Sequence, residues 1–136
     1  MKKEEKKKSN FKILIVDDSN ISLGIISDSL SKDGYTSLEQ TTSPSEAINF
    51  INNNHFHLYI LDIVMPKISG LELAKTITKG EKNSCILMIS SLDSENIMLE
   101  SVASGAKDFL PKPIDKEMLI NSVDKLYKYA IKEKIF

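Results

Sequence analysis

Residues 58–70 read LYILDIVMPKISG. Leu58 to Leu61 is an unbroken apolar run, and it stops on the carboxylate of Asp62. A run this short, with no polar alternation, suits a strand buried on both faces, as in a parallel sheet. Three further apolar runs also stop at residues that can carry chemistry. Phe11 to Val16 ends in Asp17-Asp18, Cys85 to Ile89 ends in Ser90-Ser91, and the very short Phe109-Leu110 is followed by Pro111-Lys112-Pro113. Tyr35 to Thr41 is weaker and more polar, as an edge strand is.

Helical signals separate these runs. Asn20 to Lys32 carries Leu23, Ile26 and Leu30 at steps of three and four, with Gly34 placed as a C′ residue. Gly24 inside it costs about 1 kcal/mol relative to Ala. Ser43-Pro44-Ser45-Glu46 is a helix start: Ser43 caps, Pro44 fits the first turn and Glu46 closes a capping box. That helix runs to Asn53. Leu71 to Lys79 and Ser94 to Ser104 supply the third and fourth helices. The fifth starts at Asp115, with a core stripe of Leu119, Val123, Leu126 and Ala130. A β-α unit repeated five times predicts an α/β fold, a parallel sheet with helices on both faces and right-handed crossovers.

The chain has 136 residues, 41% apolar and 27% charged, which suits one soluble domain with one core. Its net charge of −1 gives no global attraction to nucleic acid or membrane. Every basic residue is Lys, so the bidentate fork that reads phosphate or guanine is missing, and a nucleic-acid partner is not expected. Residues 1–10, MKKEEKKKSN, lack the apolar segment of a signal peptide and read as a flexible basic tail. No stretch is long enough to span a membrane, and the single Cys85 in an apolar run reads as a buried thiol in the reducing cytoplasm. Residues 11–136 then form the one folded domain.

The chemistry gathers at strand ends. Asp17, Asp18, Asp62 and Ser90 each follow a strand, and Lys112 follows another. In open α/β sheets, sites form at the carboxyl ends of strands, so these residues converge. Three carboxylates and one ammonium carry a local charge of about −2, which favours a hard cation such as Mg²⁺. A backbone carbonyl from the loop after Asp62 can add a ligand. One carboxylate can then attack a phosphoryl donor, with the metal and Lys112 offsetting charge and Ser90 bonding a phosphoryl oxygen. Alone, each residue has a plainer reading as a turn acid, a strand terminus or a surface lysine. Their order along successive strand ends is what argues for a site.

Asp17-Asp18, the stretch DIVMPKISG from Asp62 to Gly70, Ser90 and Lys112-Pro113 together resemble the signature of response-regulator receiver domains. The resemblance spans roughly residues 10–131 and is nearest to stand-alone, CheY-like receivers. It implies a five-stranded sheet of order 2-1-3-4-5 in a flavodoxin-like arrangement. It implies Asp62 as phosphoacceptor, with Asp17, Asp18, Asp62 and the Val64 carbonyl around Mg²⁺. It implies Lys112 pairing with the phosphoryl group, Ser90 and Phe109 as a coupled switch, and a cis Lys112-Pro113 bond. Val64 and Leu92 depart from CheY in being apolar beside the phosphorylation site, so slow self-dephosphorylation is expected.

The resemblance also implies a sensor histidine kinase as donor and no enzymatic turnover beyond self-phosphorylation and dephosphorylation. With no residues left for an output domain, the output is expected to be binding through the fourth helix, fifth strand and fifth helix. That face includes Ile97, Met98, Lys107, Phe109, Asp115, Lys116 and Lys125. The flagellar motor switch, in a chemotaxis role, and a phosphotransfer protein, in a phosphorelay, are both candidate targets. A second apolar set, Ile120, Tyr127 and Ile131 continuing to Ile135 and Phe136, is either a broad core face or a contact for a phosphorylation-dependent dimer. The pair His55 and His57 is a weak metal motif without a third ligand. An aspartyl-phosphate phosphohydrolase would need an acid where Val64 stands. A flavin carrier would need a phosphate-cradling loop where Asp17-Asp18-Ser19-Asn20 stands.

Overall fold

The computed structural model describes residues 6–80, 84–92 and 95–136. Five strands alternate with five helices. The strands are β1 (Ile13–Val16), β2 (Leu38–Thr41), β3 (Leu58–Asp62), β4 (Cys85–Ser90) and β5 (Asp108–Pro111). The helices are α1 (Asn20–Lys32), α2 (Pro44–Asn53), α3 (Gly70–Gly80), α4 (Glu95–Ala103) and α5 (Lys116–Lys132). All strand pairs are parallel, as the apolar runs predicted, and the order is 2-1-3-4-5, as the resemblance implied.

The unbroken apolar runs follow from a sheet covered on both faces. β1, β3 and β4 are buried along their whole length. Alternate residues go to opposite sides. Ile13, Ile15, Leu58, Ile60, Cys85, Leu87 and Ile89 join Leu23, Ile26 and Leu30 of α1 and Leu119, Val123 and Leu126 of α5 in one core. Leu14, Val16, Tyr59, Leu61, Ile86 and Met88 join Ala47 of α2 and Leu73, Ala74 and Ile77 of α3 in the other. Each large aliphatic buried this way contributes roughly 1.5–3 kcal/mol. No described helix is long and apolar enough to cross a membrane.

Helix starts match the capping chemistry, with one difference. The side chains of Ser19, Ser43 and Asp115 accept from the backbone N–H of Ser22, Glu46 and Met118. The reciprocal half of the expected box at Ser43 does not form: its N–H donates to Thr41 Oγ1 at 3.0 Å, which leaves Glu46 exposed to solvent. Gly34 has φ of 100°, a conformation Gly adopts without strain. Gly24 meets no steric requirement: a Cβ there has open space.

Residues 1–5 of the expected tail, and Ser94 at the expected start of the fourth helix, lie outside the described residues. The rest of the tail is not free. Lys8–Asn10 forms a 3-10 turn, and Lys8 pairs with Asp33 and Asp124. The second apolar set of α5 is the broad core face: Ile120, Tyr127, Ile131 and Ile135 pack against the first core, and Phe136 is buried in it. The fourth helix differs most from a simple amphipathic reading. α4 buries Ser101 and exposes Met98, Leu99 and Val102.

Candidate functional site

The C-terminal ends of β1, β3 and β4 lie side by side, because Val16 pairs with Leu61 and Asp62 with Ile89. This register sets Asp17, Asp62 and Ser90 at one edge of the sheet. Ligand atoms of Asp17, Asp18 and Asp62 all fall within 4.8 Å of one another, which makes this the one group of three metal-type ligands among the described residues. Asp17 is 1% exposed and Asp62 4%, whereas Asp18 faces solvent. The fifth strand delivers Lys112, whose Nζ lies 2.9 Å from Asp17 Oδ2 and 3.4 Å from Asp62 Oδ2. The Lys112-Pro113 bond is cis, as the resemblance implied.

The electrostatics fit an ion-binding pocket. Burial first, and then the Asp17 carboxylate, push the Asp62 carboxyl up to about 6 against the opposing Lys112 ammonium. Burial works to lower the Lys112 pKa, but hydrogen bonds and charge from Asp17 and Asp62 hold it above the ordinary lysine value. Asp17 Oδ1 accepts from the Ser19 N–H at 2.9 Å. Asp17 Oδ2 is buried and has no well-directed hydrogen bond, only the charge of Lys112 beside it. A buried carboxylate oxygen met only by Lys112, beside two more carboxylates, belongs to a donor set of hard oxygens, so the residues present fit a divalent cation such as Mg²⁺.

Ser90 is fully buried, and its Oγ accepts from the Leu92 N–H at 3.0 Å, while its carbonyl accepts from the Lys112 N–H at 2.9 Å. One residue thus ties the β4 end both to its own loop and to the lysine. Phe109 is partly buried on the α3 side of the sheet, together with Ile97. Val64 and Leu92 are both about half exposed at the rim.

Two contributors were missing from the sequence reading. Gly70 opens α3 and donates its N–H to the Ile63 carbonyl at 3.0 Å; a Cβ there would stand 2.2 Å from the Asp62 carbonyl oxygen. The β3–α3 loop closes only with glycine at that position. Ser19 both caps α1 and holds Asp17. Its signal was legible as a serine directly after the acid pair and before the helical stripe.

The expected output face divides. Met98 and Lys116 are exposed, but Ile97 turns toward the core and Asp115 is engaged as the α5 cap. Lys125 is paired with Asp108 at 3.0 Å, and Ser122 donates to the same carboxylate at 2.6 Å. Lys107 lies over the Tyr129 ring at 5.5 Å. Between β5 and α5 runs an open groove of about 360 Å³ lined in part by Phe109, Met118 and Lys125. Among the described residues the His55–His57 pair gathers no third ligand. His57 Nδ1 accepts the Lys12 N–H at 2.9 Å and its ring stacks on Phe11. Burial first, then the charges of His55, Lys12 and Lys6, bring His57 down to about 4.

Comparison with known proteins agrees with this geometry. The sequence model of the response regulator receiver domain matches residues 13–124. The chemotaxis protein CheY of Thermotoga maritima is 28% identical over 86% of this chain and 98% of its own length. A CheY-like receiver from Methanospirillum hungatei superposes with a TM-score of 0.84 at 27% identity, covering 90% of this chain and 97% of that one. The CheX–CheY–BeF3–Mg²⁺ complex from Borrelia burgdorferi matches with a TM-score of 0.79 at 30% identity, covering 86% of this chain and 89% of that one.

Proposed function

The chain belongs to the response regulator receiver domain family, and on that premise we propose that it accepts a phosphoryl group on Asp62 from a sensor histidine kinase in the cytoplasm. The observation that carries this is the meeting of Asp17, Asp18 and Asp62 within 4.8 Å, with Lys112 against two of them. A divalent cation, Mg²⁺ by the chemistry of the oxygens, would be held by Asp17, Asp18, Asp62 and the carbonyl of Val64. It supplies positive charge that offsets the phosphoryl oxygens. The relative from Borrelia burgdorferi, solved with Mg²⁺ and BeF3, supports that choice.

The chain's own groups account for the rest. An Asp62 oxygen forms the new P–O bond as the donor's P–N bond breaks, and the leaving imidazole takes a proton. With a carboxyl pKa of about 6, Asp62 is ionised and nucleophilic at neutral pH. Lys112 exchanges its contact with Asp62 for a phosphoryl oxygen. Ser90 gives up the Leu92 N–H and turns its hydroxyl to another. The space it leaves admits Phe109, and the surface of α4, β5 and α5 changes shape for a protein target. The exposed Met98, Leu99 and Val102 and the β5–α5 groove supply the contacts. The protein is a signalling module and turns over no external substrate. The CheY relatives favour a chemotaxis target such as the motor switch. A phosphotransfer partner in a relay is the alternative, and target capture with the phosphorylated chain separates the two.

Incubation with acetyl phosphate and intact mass measurement test the reading. One added phosphoryl group is expected, dependent on Mg²⁺ and abolished in Asp62→Asn. An unmodified wild-type chain under these conditions overturns it. The apolar Val64 and Leu92 at the rim cannot orient water, so the label should decay slowly, and Val64→Asn should shorten its lifetime.

A further inference from the structure

From the docking of the N-terminal segment, we infer that residues 6–10 form a latch, closed by Lys8, that holds α5 against the end of α1 and the start of β2. The Lys8 ammonium lies 3.0 Å from Asp33 Oδ2 and 3.1 Å from Asp124 Oδ1. Asp33 caps α1 and Asp124 sits in α5, so one lysine joins two helices. Tyr35 donates to the same Asp124 carboxylate at 2.6 Å, and Lys8 lies 5.0 Å over the Tyr35 ring. The flanking residues add independent ties. Ser37 Oγ donates to the Ser9 carbonyl at 2.5 Å, the Tyr127 hydroxyl donates to the Lys6 carbonyl, and Lys6 lies over the Phe136 ring at 5.3 Å.

Charge explains why the segment docks and why it can be released. Without Lys8, the carboxylates of Asp33 and Asp124 face each other with a local charge of −2, and with it the charge is −1. Like charges at this spacing repel, so the ammonium relieves the repulsion at the rim where α1 and α5, joined beneath by the apolar core, come together. The contacts are only partly buried, with Lys8 at 35% side-chain exposure, and so they remain sensitive to salt. A latch of this kind opens when its lysine is neutralised or drawn to a competing acidic surface. Because α5 forms part of the output face in the function proposed above, the state of the latch biases the position of that face. Only this last consequence rests on that reading.

The test is hydrogen exchange on the full chain, unphosphorylated and without Mg²⁺, so that failure of phosphoryl acceptance does not affect it. Lys8→Met keeps most of the side-chain stem and removes the charge. Exchange is expected to rise several-fold in residues 34–40 and 119–136, with little change in β3 and β4, and Lys8→Arg is expected to restore wild-type rates. In the wild-type chain, raising NaCl to 1 M should increase exchange in the same segments. If Lys8→Met and high salt both leave residues 119–136 at wild-type rates, the latch does not hold α5 and the inference fails.

Discussion

At the scale of single residues, the site is a compromise between stability and reactivity. Asp62 carries a carboxyl pKa raised above its unfolded value, so the folded chain binds the proton more tightly than the unfolded chain. Its favourable contribution is complete below the ordinary carboxylate range, near pH 3.8, and is lost as pH rises through about 6. In EDTA at pH 7.5, Asp62→Asn should therefore stabilise the chain, on the order of 1–2 kcal/mol. The gain should shrink toward zero below pH 4, and urea unfolding at the two pH values checks it. Gly70 is the second residue to probe. Gly70→Ala drives a methyl group into the Asp62 carbonyl and should weaken the proposed Mg²⁺ binding at least ten-fold, about 1.4 kcal/mol, as read by metal titration of thermal stability.

At the scale of elements, α1 and α4 make opposite points. The α1 stripe is read correctly from Leu23, Ile26 and Leu30, and Gly24 lies on its open side with room for a methyl group. Gly24→Ala should raise stability by roughly 0.5–1 kcal/mol and leave phosphorylation of Asp62 unchanged, which thermal unfolding and intact mass will show. In α4, Met98, Leu99 and Val102 point outward and only Ile97 packs inward, so those three contribute little packing. Leu99→Ser with Val102→Ser should change stability by less than about 0.5 kcal/mol, whereas Ile77→Ala in α3 should cost about 2–4 kcal/mol. This contrast also explains what the sequence disclosed. Strands buried on both faces announce themselves as apolar runs, and the acids, serine and lysine that follow those runs mark the site. The docking of Lys8 depends on residues distant in sequence, and the glycine contact behind Asp62 on how one short loop closes; a lysine-rich stretch reads as solvated until its acidic partners are placed beside it.

At the scale of the whole molecule, the two ends of the sheet have different duties. The C-terminal edge holds the acids, and the opposite end holds an aromatic group of Phe11, Tyr35, His57, Tyr127 and Phe136. His57 there has its pKa lowered, so its contribution to stability is complete above about pH 6.5 and is lost as pH falls toward about 4. His57→Phe should flatten the acid side of the stability profile across that window without altering Mg²⁺ binding at the far edge, as paired melts and metal titrations would show.

Cys85 is fully buried on β4, which lies between β3 and β5, and burial pushes its thiol up to about 11. It is the only sulfhydryl in the chain, and it is both shielded and almost wholly protonated at neutral pH. A colourimetric disulfide reagent should then react only with molecules in which β4 has come away from its neighbours. The chain carries its own chemical clock for cooperative opening, and ligands that tighten the native state should slow it in proportion to their binding.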